Sequence, residues 1–228
     1  MNFNEMDYHG YNEPTDLCKL GLKHGADKSP LHCLTDGFGG HGYTPFYNFL
    51  LSSLRYRGIN FGEIGIYENG SMKMWREYFP NANLYGWDCR MEDRDTDLNR
   101  FYKKDYVENA RSQGLQNTIY DYMNVTCEKS INEALQKTQT KFDVLLDDSD
   151  HNFWSWVRLM RNVHKYLNPG GLFIIEDIGY NFVDVIQEFK AYGHDQYYHT
   201  ITKVNLYDQN MKYKRDPQYI FVLVKNEK

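Results

Sequence analysis

The sequence of 228 residues has no apolar run long enough to cross a bilayer, no excess of basic residues, no internal repeat and no low-complexity block. The first absence argues against a membrane role, since a spanning helix needs about 20 predominantly apolar residues. The second, a formal net charge of −5, argues against a nucleic-acid binder, which neutralises phosphates with a basic patch. Cysteine is scarce: Cys18, Cys33, Cys89 and Cys127 lack metal-type spacing and are expected as free thiols. Residues 1–7 show neither the basic nor the apolar region of a secretory signal, so a reducing, cytoplasmic setting is expected. No Pro/Gly-rich linker divides the chain, and at about 150 residues per domain it is expected to form one domain with appendages.

What the chain does hold is two apolar runs, each closed by an acidic pair. They are Phe142-Asp143-Val144-Leu145-Leu146-Asp147-Asp148 and Gly171-Leu172-Phe173-Ile174-Ile175-Glu176-Asp177. Runs of this kind read as strands buried on both faces of a parallel sheet. Their carboxylates then emerge side by side at the carboxyl edge, where open α/β sheets bind ligands. Four carboxyl groups in one place repel, and a hard cation such as Mg²⁺ would neutralise them.

The rest of the chain alternates accordingly. Strands are predicted at 59–65, 83–88 and 118–123, and helices at 71–78, 128–139, 153–166 and 182–192. Asn168-Pro169-Gly170-Gly171 reads as a stop and turn before the second acidic run. The runs at 199–207 and 219–224 are joined by a short polar loop and should pair antiparallel, because a parallel crossover needs about a dozen residues or more. The prediction is an α/β fold over 59–228: a doubly wound, mostly parallel, Rossmann-like sheet of seven strands with an antiparallel C-terminal hairpin. Residues 1–58 precede it as a helical or irregular appendage.

At the first strand-to-helix junction, Glu63-Ile64-Gly65-Ile66-Tyr67-Glu68-Asn69-Gly70-Ser71, glycines stand where a backbone must turn and approach a ligand. Asp88 ends the next strand, in place to bind a ribose diol. The spacing is not the dinucleotide fingerprint G-x-G-x-x-G, which makes a nicotinamide oxidoreductase the weakest rival. Duller roles are open as well. Asp150 or Ser149 could cap the following helix, Asp147 could be a structural partner, and Trp75, Trp154 and Trp156 could be core or lining. His32, His41, His164, His194 and His199 read as surface or packing residues, His41 being the one to test.

Glu63-Ile64-Gly65, the run from Met74-Trp75 through Tyr78-Phe79-Pro80-Asn81-Ala82, and Tyr85-Gly86-Trp87-Asp88 resemble the cofactor region of class I S-adenosylmethionine-dependent methyltransferases. The resemblance narrows to the metal-dependent sugar O-methyltransferases of macrolide biosynthesis and their cephalosporin-hydroxylase-like relatives. Asp27-Lys28 with His41-Gly42-Tyr43-Thr44-Pro45-Phe46-Tyr47 is similar to that group's "DK...HGYTP.Y" segment, and Asp147-Asp148-Ser149-Asp150-His151 to its "DDGSH". The likeness implies that Asp148, Glu176 and Asp177 ligate Mg²⁺ and that His151 is the general base. It implies that Glu63, Gly65, Ser71, Asp88, Tyr43, Thr44 and Asp147 hold S-adenosyl-L-methionine, and that residues 1–58 close over it. Two departures stand out: Tyr67-Glu68-Asn69 replace the usual glycines, and Ser149-Asp150 replace Gly-Ser.

Chemistry agrees with that implication. A sugar hydroxyl ionises far above neutral pH, and a cation holding two vicinal oxygens lowers its pKa and fixes its place. An imidazole with a pKa of about 6.5 then takes the proton. The expected acceptor is a sugar hydroxyl of a glycan, glycoside or nucleotide sugar, with no nucleic-acid or membrane partner and with homo-oligomerisation possible. A catechol-like diol would suit the same chelation, and a non-catalytic cofactor-binding homologue is a third reading.

Overall fold

The computed structural model describes residues 3–8, 13–32, 40–93, 104–179, 197–204 and 218–226. Among these residues eight strands are hydrogen-bonded into one sheet: β1 (Phe3–Tyr8), β2 (Asn60–Ile64), β3 (Asn83–Asp88), β4 (Thr118–Tyr122), β5 (Phe142–Asp147), β6 (Leu167–Ile178), β7 (Tyr197–Val204) and β8 (Gln218–Lys225). Their spatial order is β1-β7-β8-β6-β5-β2-β3-β4. Pairing is parallel from β4 through β6, and β8 runs antiparallel to both β6 and β7. The order reverses direction between β2 and β5, and at such a switch point the carboxyl ends of neighbouring strands leave a crevice for a ligand.

The doubly wound sheet and its terminal hairpin are therefore as predicted, but the strand number is eight rather than seven. The extra strand is β1, inside the segment expected to be helical or irregular, and it pairs parallel with β7 in the register Phe3↔His199 to Tyr8↔Val204. Its six residues alone carry no strand signal without that partner edge. A second correction concerns Asn168-Pro169-Gly170-Gly171, which lies within β6. Phe142 pairs with Leu167 while Val144 pairs with Leu172, so the turn is absorbed as a bulge in the strand, with Gly170 at φ +74°. The helix predicted over 182–192 lies outside the described residues.

Among the described residues six helices flank the sheet: α1 (Asp16–His24), α2 (Thr44–Leu51), α3 (Gly70–Tyr78), α4 (Tyr106–Ser112), α5 (Glu128–Lys137) and α6 (Phe153–Val163). Their ends follow ordinary capping chemistry. Thr15 caps α1, Asp105 caps α4 and Asn152 caps α6, each side-chain oxygen accepting a backbone N–H, while Gly25 ends α1 in the left-handed conformation. Two cores cover the two faces of the sheet. One gathers Phe46, Tyr47, Phe61, Trp75 and Phe79 under α1 to α3, the other Trp87, Phe142, Trp156 and Phe173 under α5 and α6. The run around Met74-Trp75 that carried the resemblance is thus mostly core. Trp75 and Phe79 are fully buried, and Arg76 donates to the carbonyls of Phe79 and Ala82, closing the turn into β3. No helix among the described residues is long and apolar enough to cross a membrane.

Candidate active site

The acidic pairs meet where β5 and β6 end. Asp147 and Glu176 point inward and are buried at 1% exposure each, while Asp148 and Asp177 reach the rim. Alternation along a strand would send Glu176 and Asp177 to opposite faces. Here the β6–β8 register slips between Ile175 and Ile178, so a bulge re-aims both acids toward the same crevice. Asp177 and His151 both sit in the left-handed region, at φ +55° and +50°. Such strain in non-glycine residues concentrates at functional sites.

His151 joins the two rim carboxylates. Its Nε2 lies 3.2 Å from Asp148 Oδ1 and 3.3 Å from Asp177 Oδ2. One donor atom from each of Asp148, His151 and Asp177 falls within 4.8 Å of the others, a set compact enough to hold a metal ion. Burial would lower the His151 pKa, but the hydrogen bond to Asp148 and the charges of Asp177 and Asp148 outweigh it and raise it to about 9. Burial would likewise raise Asp148, yet the Lys28 ammonium and the His151 hydrogen bond hold it down at about 2.

The N-terminal segment supplies the other wall. Tyr43 Oη donates to Asp177 Oδ1, and Tyr47 Oη donates to Glu176 Oε1 at 2.5 Å. Lys28 Nζ donates to Asp148 Oδ2 and, at 2.5 Å, to Glu176 Oε2. Both oxygens of Glu176 are thereby engaged from residues 28 and 47. His41 Nδ1 stands 3.4 Å from Asp177 Oδ1, and its ring stacks on Tyr43 with centroids 5.4 Å apart. His41, read as a surface or packing residue, is therefore at the site. Lys28 and Tyr47 lay in the quoted "DK...HGYTP.Y" segment without a role, and only that motif could have flagged them.

On the other side of β5, Glu63 at the end of β2 is fully buried, with Oε2 accepting from Ser71 Oγ at 2.8 Å and Oε1 3.4 Å from Lys28 Nζ. Burial pushes Glu63 up to about 7 against the pull of Lys28, and pushes Asp147 up to about 7 as well. Ser149 Oγ donates to Asp147 Oδ1 at 2.6 Å, whereas the buried Asp147 Oδ2 has no hydrogen-bond partner among the described residues. A buried acceptor left without a donor is a costly arrangement that a ligand N–H or O–H would resolve. Asp88 accepts the backbone N–H groups of Tyr67 (3.1 Å) and Cys89 (2.8 Å).

The remaining residues singled out from the sequence fall into several settings. Thr44 is fully buried with its hydroxyl toward Cys18 Sγ at 3.2 Å, facing α1 rather than the acidic cluster. Gly65, at φ +90°, is required by the protein's own chain: a Cβ there would overlap the Asp148 carbonyl and lie 2.8 Å from Ser149 Cα. Asp150 turns away from the cluster and accepts from Asn152 N–H and Ser155 Oγ at 3.1 and 2.7 Å. Trp75 and Trp156 are core, but Trp154 is 52% exposed. Tyr67 and Asn69, which replace glycines of the resemblance, keep glycine-like backbones at φ +43° and +69°. Asn69 holds its loop by accepting from Tyr120 Oη (2.8 Å) and donating to Gln113 (3.1 Å).

A parallel sheet with its acids at the switch point, a buried Glu at the first strand end and a rim cluster of Asp, His and Asp define a class I methyltransferase-like domain. Residues 63–178, more than half of the chain, match the methyltransferase domain family, and the chain belongs to it. It is 27% identical over 172 residues to the 8-demethyl-8-(2-methoxy-alpha-L-rhamnosyl)-tetracenomycin-C 3'-O-methyltransferase of Streptomyces olivaceus, covering 72% of this chain and 37% of that protein. It is 23% identical over 145 residues to the mycinamicin VI 2''-O-methyltransferase of Micromonospora griseorubida, covering 60% of this chain and 32% of that one. The chain thus spans about a third of the length of these relatives. Among solved structures it shares its fold with MycE methyltransferase of the mycinamycin pathway, in complex with Mg and SAH. The TM-score is 0.60 at 16% identity over 94% of this chain and 55% of that one.

Proposed function

We propose that the protein is an S-adenosyl-L-methionine- and Mg²⁺-dependent O-methyltransferase acting on a sugar hydroxyl of a glycan, glycoside or nucleotide sugar. The observation that carries this reading is the meeting of Asp148, His151 and Asp177 within 4.8 Å at the carboxyl edge, next to the buried Glu63 and Asp147. Two oxygens, Asp148 Oδ1 and Asp177 Oδ2, are hard donors suited to Mg²⁺. Glu176, the third acid of the implied set, already accepts from Lys28 and Tyr47 and would coordinate through its remaining lone pairs. Glu63, Ser71, Asp88 and Asp147 would hold the methyl donor, whose N–H and O–H groups suit the partnerless Asp147 Oδ2.

Bound there, the divalent ion would offset the carboxylate charge that keeps His151 protonated and would acidify a sugar hydroxyl beside it. His151, 47% exposed toward solvent, can then accept the hydroxyl proton at Nε2. S-adenosyl-L-methionine would supply the methyl group to the hydroxyl oxygen and leave as S-adenosylhomocysteine, and the residues of this chain would act by alignment and electrostatics with no covalent enzyme intermediate. Tyr43, Tyr47 and Lys28 support the reading of residues 1–58 as a segment that closes over the reactants and excludes water. Cys18 and Cys127 form no disulfide among the described residues, in keeping with a cytoplasmic setting, and the acceptor is read as a small molecule rather than nucleic acid.

The test is His151→Ala with SAH and Mg²⁺ calorimetry alongside turnover on a panel of sugars, nucleotide sugars, glycosides and catechols. SAH affinity should stay within threefold while turnover falls by about 10²–10⁴. Near-normal turnover removes His151 from the mechanism, and activity that survives chelation of divalent ions removes the metal.

A further inference from the structure

The most heavily bonded cation in the site does more than tie the N-terminal segment to the acidic cluster. Lys28 is 1% exposed, and its ammonium meets Asp148 Oδ2, Glu176 Oε2 at 2.5 Å and Glu63 Oε1 at 3.4 Å. Its backbone is fixed from several directions. Thr44 N–H donates to the Lys28 carbonyl at 3.1 Å, His41 N–H to the Asp27 carbonyl at 2.6 Å, and Ser29 Oγ to the Cys18 carbonyl at 2.7 Å. Gly40 lies against the Asp27 and Ser29 carbonyls so closely that a Cβ there would overlap both. A long flexible side chain held this way at its root delivers a charge to one point.

We propose that Lys28 is a positioning residue and built-in counter-cation: it occupies the inner oxygens of Asp148 and Glu176 beside Glu63, leaving Asp148 Oδ1, Asp177 and the remaining lone pairs of Glu176 for the divalent ion. The proposal rests on the methyltransferase reading and goes beyond it in naming what the site contains besides the metal. Geometry sets the consequence. Asp148 has one oxygen on Lys28 and the other 3.2 Å from His151, so the ammonium fixes which oxygen faces the reacting centre. Glu176 is likewise held between Lys28 and Tyr47. Burial alone would discharge an isolated lysine, but the charges of Asp148, Glu176 and Glu63 raise the Lys28 pKa well above its usual value.

A fixed positive charge beside a divalent ion also repels it, through a partly dehydrated medium where Coulomb terms are strong. Two effects therefore separate on removing the charge. The ion should bind more tightly, because it becomes the only counter-charge for Asp148 and Glu176. Turnover should drop, because Asp148 is no longer held with Oδ1 toward His151.

The experiment compares wild type, Lys28→Gln, Lys28→Met and Lys28→Arg by Mg²⁺ and SAH calorimetry, thermal melting with and without Mg²⁺, and kcat at saturating Mg²⁺. Lys28→Gln and Lys28→Met should bind Mg²⁺ about tenfold more tightly, show a larger Mg²⁺-induced rise in Tm, and lose at least tenfold in kcat; Lys28→Arg should keep Mg²⁺ affinity within threefold of wild type. If a neutral variant needs Mg²⁺ to fold, recovery of the fold on adding Mg²⁺ bears the proposal out, and failure to recover at any Mg²⁺ concentration overturns it. Unchanged or weaker Mg²⁺ binding in folded neutral variants also overturns it, as does the same gain in Lys28→Arg. A wild-type protein that binds neither Mg²⁺ nor SAH would instead sink the methyltransferase reading.

Discussion

Gly65→Ala tests whether the acidic rim is built by backbone contact between two strand ends. Gly65 stands at φ +90° just past β2, and its Cα faces the chain leaving β5. An added Cβ would lie 2.8 Å from Ser149 Cα and closer still to the Asp148 carbonyl, a separation that real Cβ atoms do not show. Neither strand end is free to retreat, because Gly65 N–H donates to the Trp87 carbonyl and Asp148 N–H to the Ile64 carbonyl, each at 2.8 Å. A non-glycine residue in this region costs about 1–3 kcal/mol, and losing one of these hydrogen bonds adds about 1 kcal/mol. The stiffer unfolded chain returns about 0.4–1 kcal/mol, leaving a net loss of about 2–3 kcal/mol. For a chain of this size that is a fall in Tm of roughly 4–12 °C. Because the contact is with Asp148 itself, displacement by about 1 Å should also cost on the order of a hundredfold in rate. Urea denaturation and turnover measure these two losses, and Mg²⁺ calorimetry registers the displacement of Asp148. Gly25→Ala is the control, with φ +69° but open space around the site, so only the conformational part should be felt. If Gly65→Ala is no worse than Gly25→Ala in stability and binds Mg²⁺ normally, the reasoning is refuted.

Other outcomes follow from the same geometry. Asp147 has a folded pKa of about 7 against an ordinary value near 3.8, so the folded state holds a proton that the unfolded state releases first. Stability from this group is therefore present below about pH 4, is lost as pH rises toward 7, and levels off above; the loss is of order 4 kcal/mol. Asp147→Asn should flatten that slope in urea melts at pH 5 and 8, and an equal wild-type-to-variant difference at both pH values would contradict it. Asn69→Ala should cost about 2–3 kcal/mol through the loss of hydrogen bonds to Tyr120 and Gln113. Asn69→Gly, which suits φ +69°, should cost less, and the reverse order in chemical denaturation would show that the backbone conformation is unimportant there. Tyr43→Phe removes the donor to Asp177, leaves that carboxylate partly unsatisfied and should change Mg²⁺ affinity without altering the far-ultraviolet circular dichroism spectrum; unaltered Mg²⁺ binding would separate Tyr43 from the site.

Local composition is enough to locate the strands that lie in the middle of the sheet. β2, β3, β5 and β6 are apolar runs ended by acids, and a run buried on both faces leaves its signature in composition alone. Asp148 and Asp177 were legible for the same reason, since strand ends of neighbouring parallel strands come out at one edge whatever lies between them in the chain, whereas His151 was marked only by the resemblance of Asp147–His151 to the family motif. Tertiary structure decided the rest. Lys28 lies 120 residues from Asp148 and 148 from Glu176, so no local pattern links them, and its burial becomes favourable only when all three carboxylates surround it. The bulge that turns Glu176 and Asp177 to one crevice comes from the register against β8, a strand some forty residues on. β1 exists as a strand only because β7 offers it an edge. Periodicity records how a segment meets solvent and core; which distant charge neutralises a buried acid depends on three-dimensional proximity, and that is fixed only when the fold closes.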